Sequence, residues 1–223
     1  MSEPLRVAVM LSGGGTNLQS IIDACEGGST GARVVVVASN RASAFGLQRA
    51  RNHGIAAEHI PVGPTGSEQW AAADARQVEV FREHGVQLVC LAGYMRKVGP
   101  RLLAAFPHAI MNIHPGLLPA FLGVEVQWTA VEYGVKIAGC TVHFADEEVD
   151  RGPIIIQAAV PVLPADTGDD LARRILEQEH RVYPQAIKWF AEGRLALEGR
   201  TVRVKGAPPP LLDGAIVSPG LDG

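Results

Sequence analysis

The sequence predicts an α/β protein with a doubly wound, mostly parallel sheet, helices on both faces, and antiparallel elements toward the C-terminal half. Short β-branched segments alternate with helical patterns, which is typical of parallel strands connected by helices. Two of these segments, RVVVVA at 33–38 and VQLVCLA at 86–92, are apolar or nearly so throughout, as expected for strands covered on both faces. With 223 residues, of which 47% are hydrophobic and 19% charged, the chain has enough apolar material for a sizeable core.

The first half of the chain alternates strand and helix four times. Gly54 and Gly85 follow two of the predicted helices and Pro100 opens another, which are positions that these residue types favour. The strands are predicted at residues 5–11, 33–38, 55–62 and 86–92, and the helices at 17–25, 45–53, 67–84 and 100–106.

The second half departs from this regular alternation. A strand beginning at residue 111 ends at Pro115, a helix follows at 124–133, and strands at 137–144 and 153–162 could pair antiparallel. Residues 167–192 are predicted to be helical, with Thr167 as the cap and Pro184 expected to kink or break the helix. A hairpin at 195–204 and an irregular Pro- and Gly-rich stretch at 206–223 complete the chain. We therefore predict one domain over residues 1–195 and a C-terminal extension over 196–223.

Charge and cysteine content argue against several classes of protein. The formal net charge is −3 and the sequence pI is about 6.2, whereas proteins that bind nucleic acid through its phosphates carry a basic excess. The apolar run at 7–11 is too short for a signal peptide, and no apolar run reaches a membrane-spanning length. Cys25, Cys90 and Cys140 show no metal-ligand spacing. We expect a cytoplasmic protein with reduced thiols, no metal, and no nucleic-acid or membrane partner.

A glycine-rich turn, SGGGTN at 12–17, follows the first strand and opens the first helix. Backbone N–H groups at such a turn form an anion site. The turn lacks the Lys of a Walker loop, and Leu18 stands where a dinucleotide fingerprint has its third glycine. Ser39 and Asn40 stand where that fold places an acid for the ribose hydroxyls. Two interpretations remain: a tight turn without a ligand, or a terminal-phosphate site formed by Gly15, Thr16 and Asn17.

A second group of polar residues lies near strand ends. Asn112 and His114 are two residues apart, so a strand directs both to one face, and Asp150 lies where the acidic turn ADEEVD returns to a strand. Thr141 and His143 share the same spacing. An amide can stabilise an oxyanion, an imidazole transfers protons near neutral pH, and a carboxylate stabilises the imidazolium. The absence of a G-x-S-x-G motif favours direct attack of one substrate on the other. The alternative is a core or capping histidine in a satisfied polar pair.

Several segments resemble the phosphoribosylglycinamide formyltransferases, which are folate-dependent enzymes of purine biosynthesis. In chain order they are SGGGTNLQSII, SNRASAFGLQRA, LAGYMRKVG, MNIHPGLLPAF, GCTVHFADEEVDRGPIIIQ and QEHRVYP. Together they span about residues 5–195, each at the place expected for the family. The resemblance implies a formyltransferase-type, Rossmann-like fold. It also implies transfer of a formyl group from 10-formyltetrahydrofolate to the amine of glycinamide ribonucleotide.

The resemblance further implies roles for individual residues. The glycine turn would bind the ribonucleotide phosphate, and Glu179 would contact the same substrate. Asn112, His114 and Asp150 would form the catalytic group, without a metal. The folate would be bound by Asn112 and, largely through backbone atoms, by Met95, Arg96, Lys97 and Val98. The expected partners are these small molecules, for a protein that is a monomer or a homodimer.

Four positions depart from the family pattern. Trp70 stands where the family has an arginine that reaches toward the folate, and Leu122 replaces the proline of an F-P-G step. Glu125 replaces a histidine, and Leu176 replaces a polar residue near the ribonucleotide. Because the four positions cluster around the two substrate pockets, we expect altered affinity there.

Three alternative functions share part of this pattern. A formyltetrahydrofolate deformylase would carry an extra domain ahead of the first strand, which here begins at Leu5. A transfer-RNA formyltransferase would need a further C-terminal domain and a basic surface. The third alternative is a catalytically weak folate- or phosphate-binding protein of the same fold. The four departures favour this last reading, whereas the joint presence of Asn112, His114 and Asp150 argues against it.

Overall fold

A computed structural model describes residues 3–212 and 216–222 of the chain. The backbone forms two compact units, of which the first ends at Asn112 and the second begins at Ile113. In the part of the chain that is described, no helix is long and apolar enough to cross a membrane. The separation of residues 196–223 as an extension stays a prediction.

The first unit is built on parallel strands, which confirms the predicted fold class. Its strands are β1 (Leu5–Leu11), β2 (Ala32–Ser39), β3 (Ala56–His59), β4 (Leu88–Leu91) and the first three residues of β5 (Ile110–His114). Its helices are α1 (Thr16–Glu26), α2 (Phe45–Asn52), α3 (Glu68–Glu83) and α4 (Pro100–Ala105). Every strand pairing in this unit is parallel, in the order β3-β2-β1-β4-β5.

The strand order reverses direction at β1, and this places the candidate site. Right-handed crossovers on either side of the reversal put α1 and α2 on one face and α3 and α4 on the other. In agreement, α1 packs against α2 and α3 packs against α4. Sheets of this kind bind ligands beyond the carboxyl ends of the strands, at the point of reversal. The glycine turn directly follows β1 and therefore lies at that point.

Burial explains why these segments form these elements. Residues 7–11 of β1 are all buried, as their continuous apolar run predicts. Helix α1 buries Leu18, Ile21 and Ile22, which have the spacing of a single helical face. The corresponding face of α3 is unusual because it buries two polar side chains, Asp74 and Gln77.

The second unit contains the predicted antiparallel elements. It comprises α5 (Val126–Tyr133), β6 (Ile137–Phe144), β7 (Ile154–Pro161), α6 (Gly168–Ala191), β8 (Leu195–Glu198), β9 (Thr201–Val204), β10 (Leu211–Leu212) and β11 (Ile216–Ser218). Strands β6 and β7 pair antiparallel over almost their full length, and β8 and β9 form an antiparallel hairpin at the predicted position.

Helix α6 continues through Pro184 to Ala191, so the expectation of a break there is wrong, and the alternative of a kink stays a prediction. Thr167 and Asp170 form a capping box at the first turn, as the cap prediction requires. A proline inside a helix costs about 3 kcal/mol. The face around it is deeply buried and includes Tyr183, Ile187 and Trp189 at 0% exposure, so packing offsets that cost.

The C-terminal stretch also differs from the irregular structure expected for it. Strand β11 pairs antiparallel with β7, and Val217 is fully buried in this pairing. Asp222 accepts hydrogen bonds from the side chains of Trp189 and Arg194. These contacts lie far apart in sequence, so the local proline and glycine content did not reveal them.

Candidate active site

The glycine turn begins α1 in a conformation that only glycine adopts readily. Gly15 has φ 74° and ψ 38°, and a Cβ atom there would lie 2.9 Å from the Cα of Gly46. No side chain caps the helix, and its first turn contains no acidic residue. Thr16 is exposed, and Gly15 and Asn17 are half-buried. Uncapped N–H groups at a helix N-terminus favour an anion, which agrees with the predicted phosphate site.

Helix α2 supports this turn from one side. The N–H of Gly46 donates to the carbonyl of Gly13 over 3.1 Å, and Arg49 Nε donates to the carbonyl of Gly14 over 2.9 Å. A second guanidinium nitrogen of Arg49 donates to Gln19 Oε1 over 3.1 Å. Two groups of α2 therefore hold the turn, and one of them, Arg49, is itself bound to α1.

The predicted folate segment is tied to the end of β1 through Ser12. This side chain is 3% exposed, accepts a hydrogen bond from the backbone N–H of Met95 over 2.8 Å and donates to Asn40 Oδ1 over 2.5 Å. The side chains of Met95, Arg96 and Lys97 are exposed, whereas Val98 is buried. A single serine thus links the two predicted binding segments of the first unit.

Helix α3 contacts the same folate segment along one face. Trp70 Nε1 donates to the carbonyl of Lys97 over 3.2 Å, and Gln77 Nε2 donates to the hydroxyl of Tyr94 over 3.0 Å. Between them, the buried carboxylate of Asp74 accepts hydrogen bonds from the backbone N–H groups of Arg101 and Leu102, over 2.8 and 3.0 Å. Asp74 therefore caps α4, for which the local sequence offers no side-chain cap.

In the second unit, the structure brings His114 and Asp150 together. His114 Nδ1 lies 3.4 Å from Asp150 Oδ2, and the two side chains are 3% and 6% exposed. His114 Nε2 donates to the carbonyl of Phe121 over 2.7 Å. Both ring nitrogens therefore face acceptors, an arrangement that suits a protonated imidazole. Asn112 is half-buried on β5, two residues before His114 and on the same face of the strand.

A second histidine lies on the other side of the Asp150 carboxylate. His143 Nε2 is 3.8 Å from Asp150 Oδ1, and His143 Nδ1 donates to the carbonyl of Phe144 over 2.9 Å. Burial lowers the pKa of His143 below its usual value of 6.5, and the nearby carboxylate of Asp150 opposes that shift. The spacing of His143 from Thr141 is visible in the sequence, but no role for His143 follows from it.

The loops around this pair are fixed by close backbone approaches. Asp150 itself has φ 56°, a left-handed conformation that aspartate tolerates better than most residues. A Cβ atom on Gly152 would lie 1.7 Å from the carbonyl oxygen of Phe144, so only glycine fits two residues after Asp150. The loop that follows β5 is held by the hydroxyl of Thr141, which donates to the carbonyl of Gly116 over 2.7 Å and accepts from the N–H of Leu118 over 3.1 Å.

Glu179 lies on α6 and is 6% exposed. It lines a cavity of about 610 Å³ together with Gln127, Asp169 and Leu176. One predicted departure, Leu176, therefore lies in the same cavity as the residue predicted to contact the ribonucleotide. Among residues 3–212 and 216–222, no group of three His, Cys, Asp or Glu side chains is arranged to hold a metal ion.

The side chains that hold the predicted binding segments could not be predicted from the sequence. Ser12, Arg49 and Asp74 act on backbone atoms, and hydrogen bonds to backbone atoms require no pattern in the partner's sequence. The only available signal was the position of polar residues on helix faces otherwise expected to be apolar. Asp74 and Gln77 meet that description.

The parallel sheet has uncapped helix N–H groups at its point of reversal, which can bind an anion, and the buried imidazole–carboxylate pair can transfer protons. The model of the formyl transferase family matches residues 5–187, so the chain belongs to that family.

Phosphoribosylglycinamide formyltransferase of Haemophilus influenzae is 41% identical over 205 residues, covering 92% of this chain and 96% of the relative. The crystal structure of glycinamide ribonucleotide transformylase 1 from Symbiobacterium toebii is similar, with a TM-score of 0.87 and 56% identity. The match covers 92% of this chain and 96% of that one. A formyltetrahydrofolate deformylase from Pseudomonas syringae has a TM-score of 0.84 and 28% identity, covering 92% of this chain and 67% of its own.

Proposed function

We propose that this chain transfers a formyl group from 10-formyltetrahydrofolate to the amine of glycinamide ribonucleotide in purine biosynthesis. The observation that carries the proposal is 41% identity to a phosphoribosylglycinamide formyltransferase over 92% of this chain. The buried pair of His114 and Asp150 supports it, because this reaction needs a group that moves protons at a carbonyl carbon.

The proposed reaction proceeds by direct attack. The glycinamide amine attacks the formyl carbon, a C–N bond forms, and the carbonyl oxygen becomes the oxyanion of a tetrahedral intermediate. The intermediate collapses when the bond between that carbon and N10 of the folate breaks. The attacking amine loses a proton, and the departing N10 gains one. No covalent bond to the enzyme is required.

Three side chains would assist these steps. Asn112 and protonated His114 donate hydrogen bonds to the oxyanion, and each such donor is worth roughly 3 kcal/mol of barrier. Asp150 orients the ring of His114 and balances its charge. The ring can also relay the proton between the two substrate nitrogens, because an imidazole exchanges protons near neutral pH.

The contact between His114 and Phe121 adds a requirement to this mechanism. His114 Nε2 donates to the carbonyl of Phe121, so in this structure that N–H is already used. Stabilising the formyl oxygen through Nε2 therefore requires the ring to exchange one acceptor for the other. Phe121 and Glu125 have φ values of 51° and 57°, and the exposed Leu122 lies between them. We expect this loop to shift when the substrates bind.

The remaining predicted residues would hold the substrates. The ribonucleotide phosphate would bind at Gly15, Thr16 and Asn17, and its glycinamide ribose portion near Glu179. The folate would bind along the segment of Met95, Arg96, Lys97 and Val98, which α3 and Ser12 support. Both substrates are small molecules, so the reaction needs no macromolecular partner.

The test is a steady-state assay with purified protein, 10-formyltetrahydrofolate and glycinamide ribonucleotide, with His114→Ala alongside. We expect formylated ribonucleotide and tetrahydrofolate in equal amounts, and loss of both products in the variant. Tetrahydrofolate and formate without the ribonucleotide would instead identify a deformylase, the activity of the Pseudomonas syringae relative. Binding of both substrates without any product would identify a folate- and phosphate-binding protein.

A further inference from the structure

We infer that Arg49 is a positioning residue of the glycine turn, which sets the direction of the backbone N–H groups that receive the substrate phosphate. The inference rests on the proposed function, since the phosphate is that of the ribonucleotide. Arg49 belongs to α2 and not to the turn, and nothing in the pattern of the turn itself points to it.

The geometry of the peptide bond determines where the N–H groups of the turn point. In a trans peptide the C=O and N–H groups point to opposite sides. Arg49 Nε holds the carbonyl of Gly14, so the N–H of Gly15 points away from α2. The N–H of Gly46 holds the carbonyl of Gly13, so the N–H of Gly14 points away from α2 as well. Helix α2 therefore turns two consecutive N–H groups toward the opposite side of the turn.

These two groups extend the donor set at the start of α1. Gly15 is left-handed and is followed by helical residues, a combination that curves successive N–H groups around an anion. Without the hold on the Gly14 carbonyl, the flexible Gly13–Gly14–Gly15 backbone could rotate these N–H groups elsewhere. The hydrogen bond from Arg49 thus removes a freedom that phosphate binding would otherwise have to restrict.

The side chain of Arg49 is itself held in place before any ligand binds. One nitrogen donates to the Gly14 carbonyl and another to Gln19 Oε1, and the guanidinium lies 5.0 Å from the centroid of the Phe45 ring. A planar fork can satisfy these contacts together, whereas a lysine ammonium cannot. The charge adds an attraction for phosphate, so the position has a geometric and an electrostatic part that substitutions can separate.

The experiment compares Arg49→Lys, Arg49→Gln and the control Arg51→Gln by calorimetric titration with ribose 5-phosphate. Arg51 is an exposed arginine on the same helix, so its variant removes an equal charge. We expect the dissociation constant to rise on the order of tenfold in Arg49→Lys, the size of one lost charge-assisted hydrogen bond, to rise further in Arg49→Gln, which also loses the charge, and to stay constant in the control. In the formyl-transfer assay, KM for the ribonucleotide should rise likewise, with KM for the folate unchanged.

The outcomes distinguish this inference from the proposed function. Folded Arg49 variants with unchanged affinity for ribose 5-phosphate would overturn the inference, as would an equal loss in Arg51→Gln. Wild-type protein that binds ribose 5-phosphate through Arg49 but transfers no formyl group would refute the proposed function alone. If Arg49→Gln does not fold, Arg49→Lys alone tests the inference, because it keeps the positive charge and loses the planar guanidinium.

Discussion

At the scale of single residues, the geometry of the buried pair of His114 and Asp150 depends on the groups that contact it. His114 faces the Phe121 carbonyl and the Asp150 carboxylate, and Asp150 also lies near His143. A change at any of these positions alters the others, so a useful substitution must preserve shape while it removes one property.

Asp150→Asn is such a substitution. It removes the carboxylate charge and keeps the shape, and asparagine tolerates the left-handed backbone with φ 56° at this position. We expect kcat to fall by about two to four orders of magnitude, because the charge that orients and balances protonated His114 is lost. Glu148→Gln is the control, since this exposed acid lies in the same loop. Turnover within a few-fold of wild type in Asp150→Asn would exclude the assignment.

His143 predicts a pH dependence of stability. Because burial lowers its pKa below 6.5, the unfolded chain binds the proton more readily than the folded one. Stability from this group is therefore fully present above about pH 6.5 and is lost as the pH falls toward the lowered value. His143→Asn keeps a donor for the Phe144 carbonyl and does not titrate. Denaturant unfolding between pH 5 and 8 should show a steeper loss on the acid side for wild type, and parallel curves would contradict this.

At the scale of elements, α3 acts as a support for the predicted folate segment. Three of its side chains, Trp70, Asp74 and Gln77, hold backbone or side-chain atoms of residues 94–102. Trp70 stands where the resemblance places an arginine, and its indole holds the carbonyl of Lys97. The departure is therefore accompanied by a contact within the protein.

Trp70→Phe tests this support because it removes one N–H donor and keeps most of the ring. We expect KM for the folate donor to rise about two- to tenfold, which corresponds to one lost neutral hydrogen bond. KM for the ribonucleotide should stay unchanged, so the variant contains its own control. Steady-state kinetics with each substrate varied in turn would measure both. An equal rise in the two constants would indicate a general loss of structure instead.

At the scale of the whole molecule, the parallel strands were predictable and the C-terminal strand was not. Buried parallel strands are apolar on both faces, so β1, β2 and β4 are visible as apolar runs. Strand β11 has three residues next to Pro219, and only its pairing with β7 makes it a strand. Spacing likewise pointed to His114, whereas the 3.4 Å approach of Asp150 depends on how the loop before β7 folds back.

The C-terminal strand gives the last prediction. In a chain ended at Ala207, β7 loses the pairing with β11, the fully buried side chain of Val217, and the contacts of Asp222 with Trp189 and Arg194. Burying one valine is worth about 1.5–3 kcal/mol. The free energy of unfolding should therefore fall by at least about 2 kcal/mol in denaturant titrations.

The same truncation should change the state of association, because part of the β7 edge becomes unpaired and such edges recruit other chains. Sedimentation velocity should then show larger species that increase with concentration. Asp222→Asn is the matched control, since it weakens the ion pairs with Arg194 and Lys188 but leaves β11 in place. It should lose less stability and keep the wild-type sedimentation profile. If it destabilises as much as the truncation, the ionic contacts, and not the added strand, hold this end of the chain.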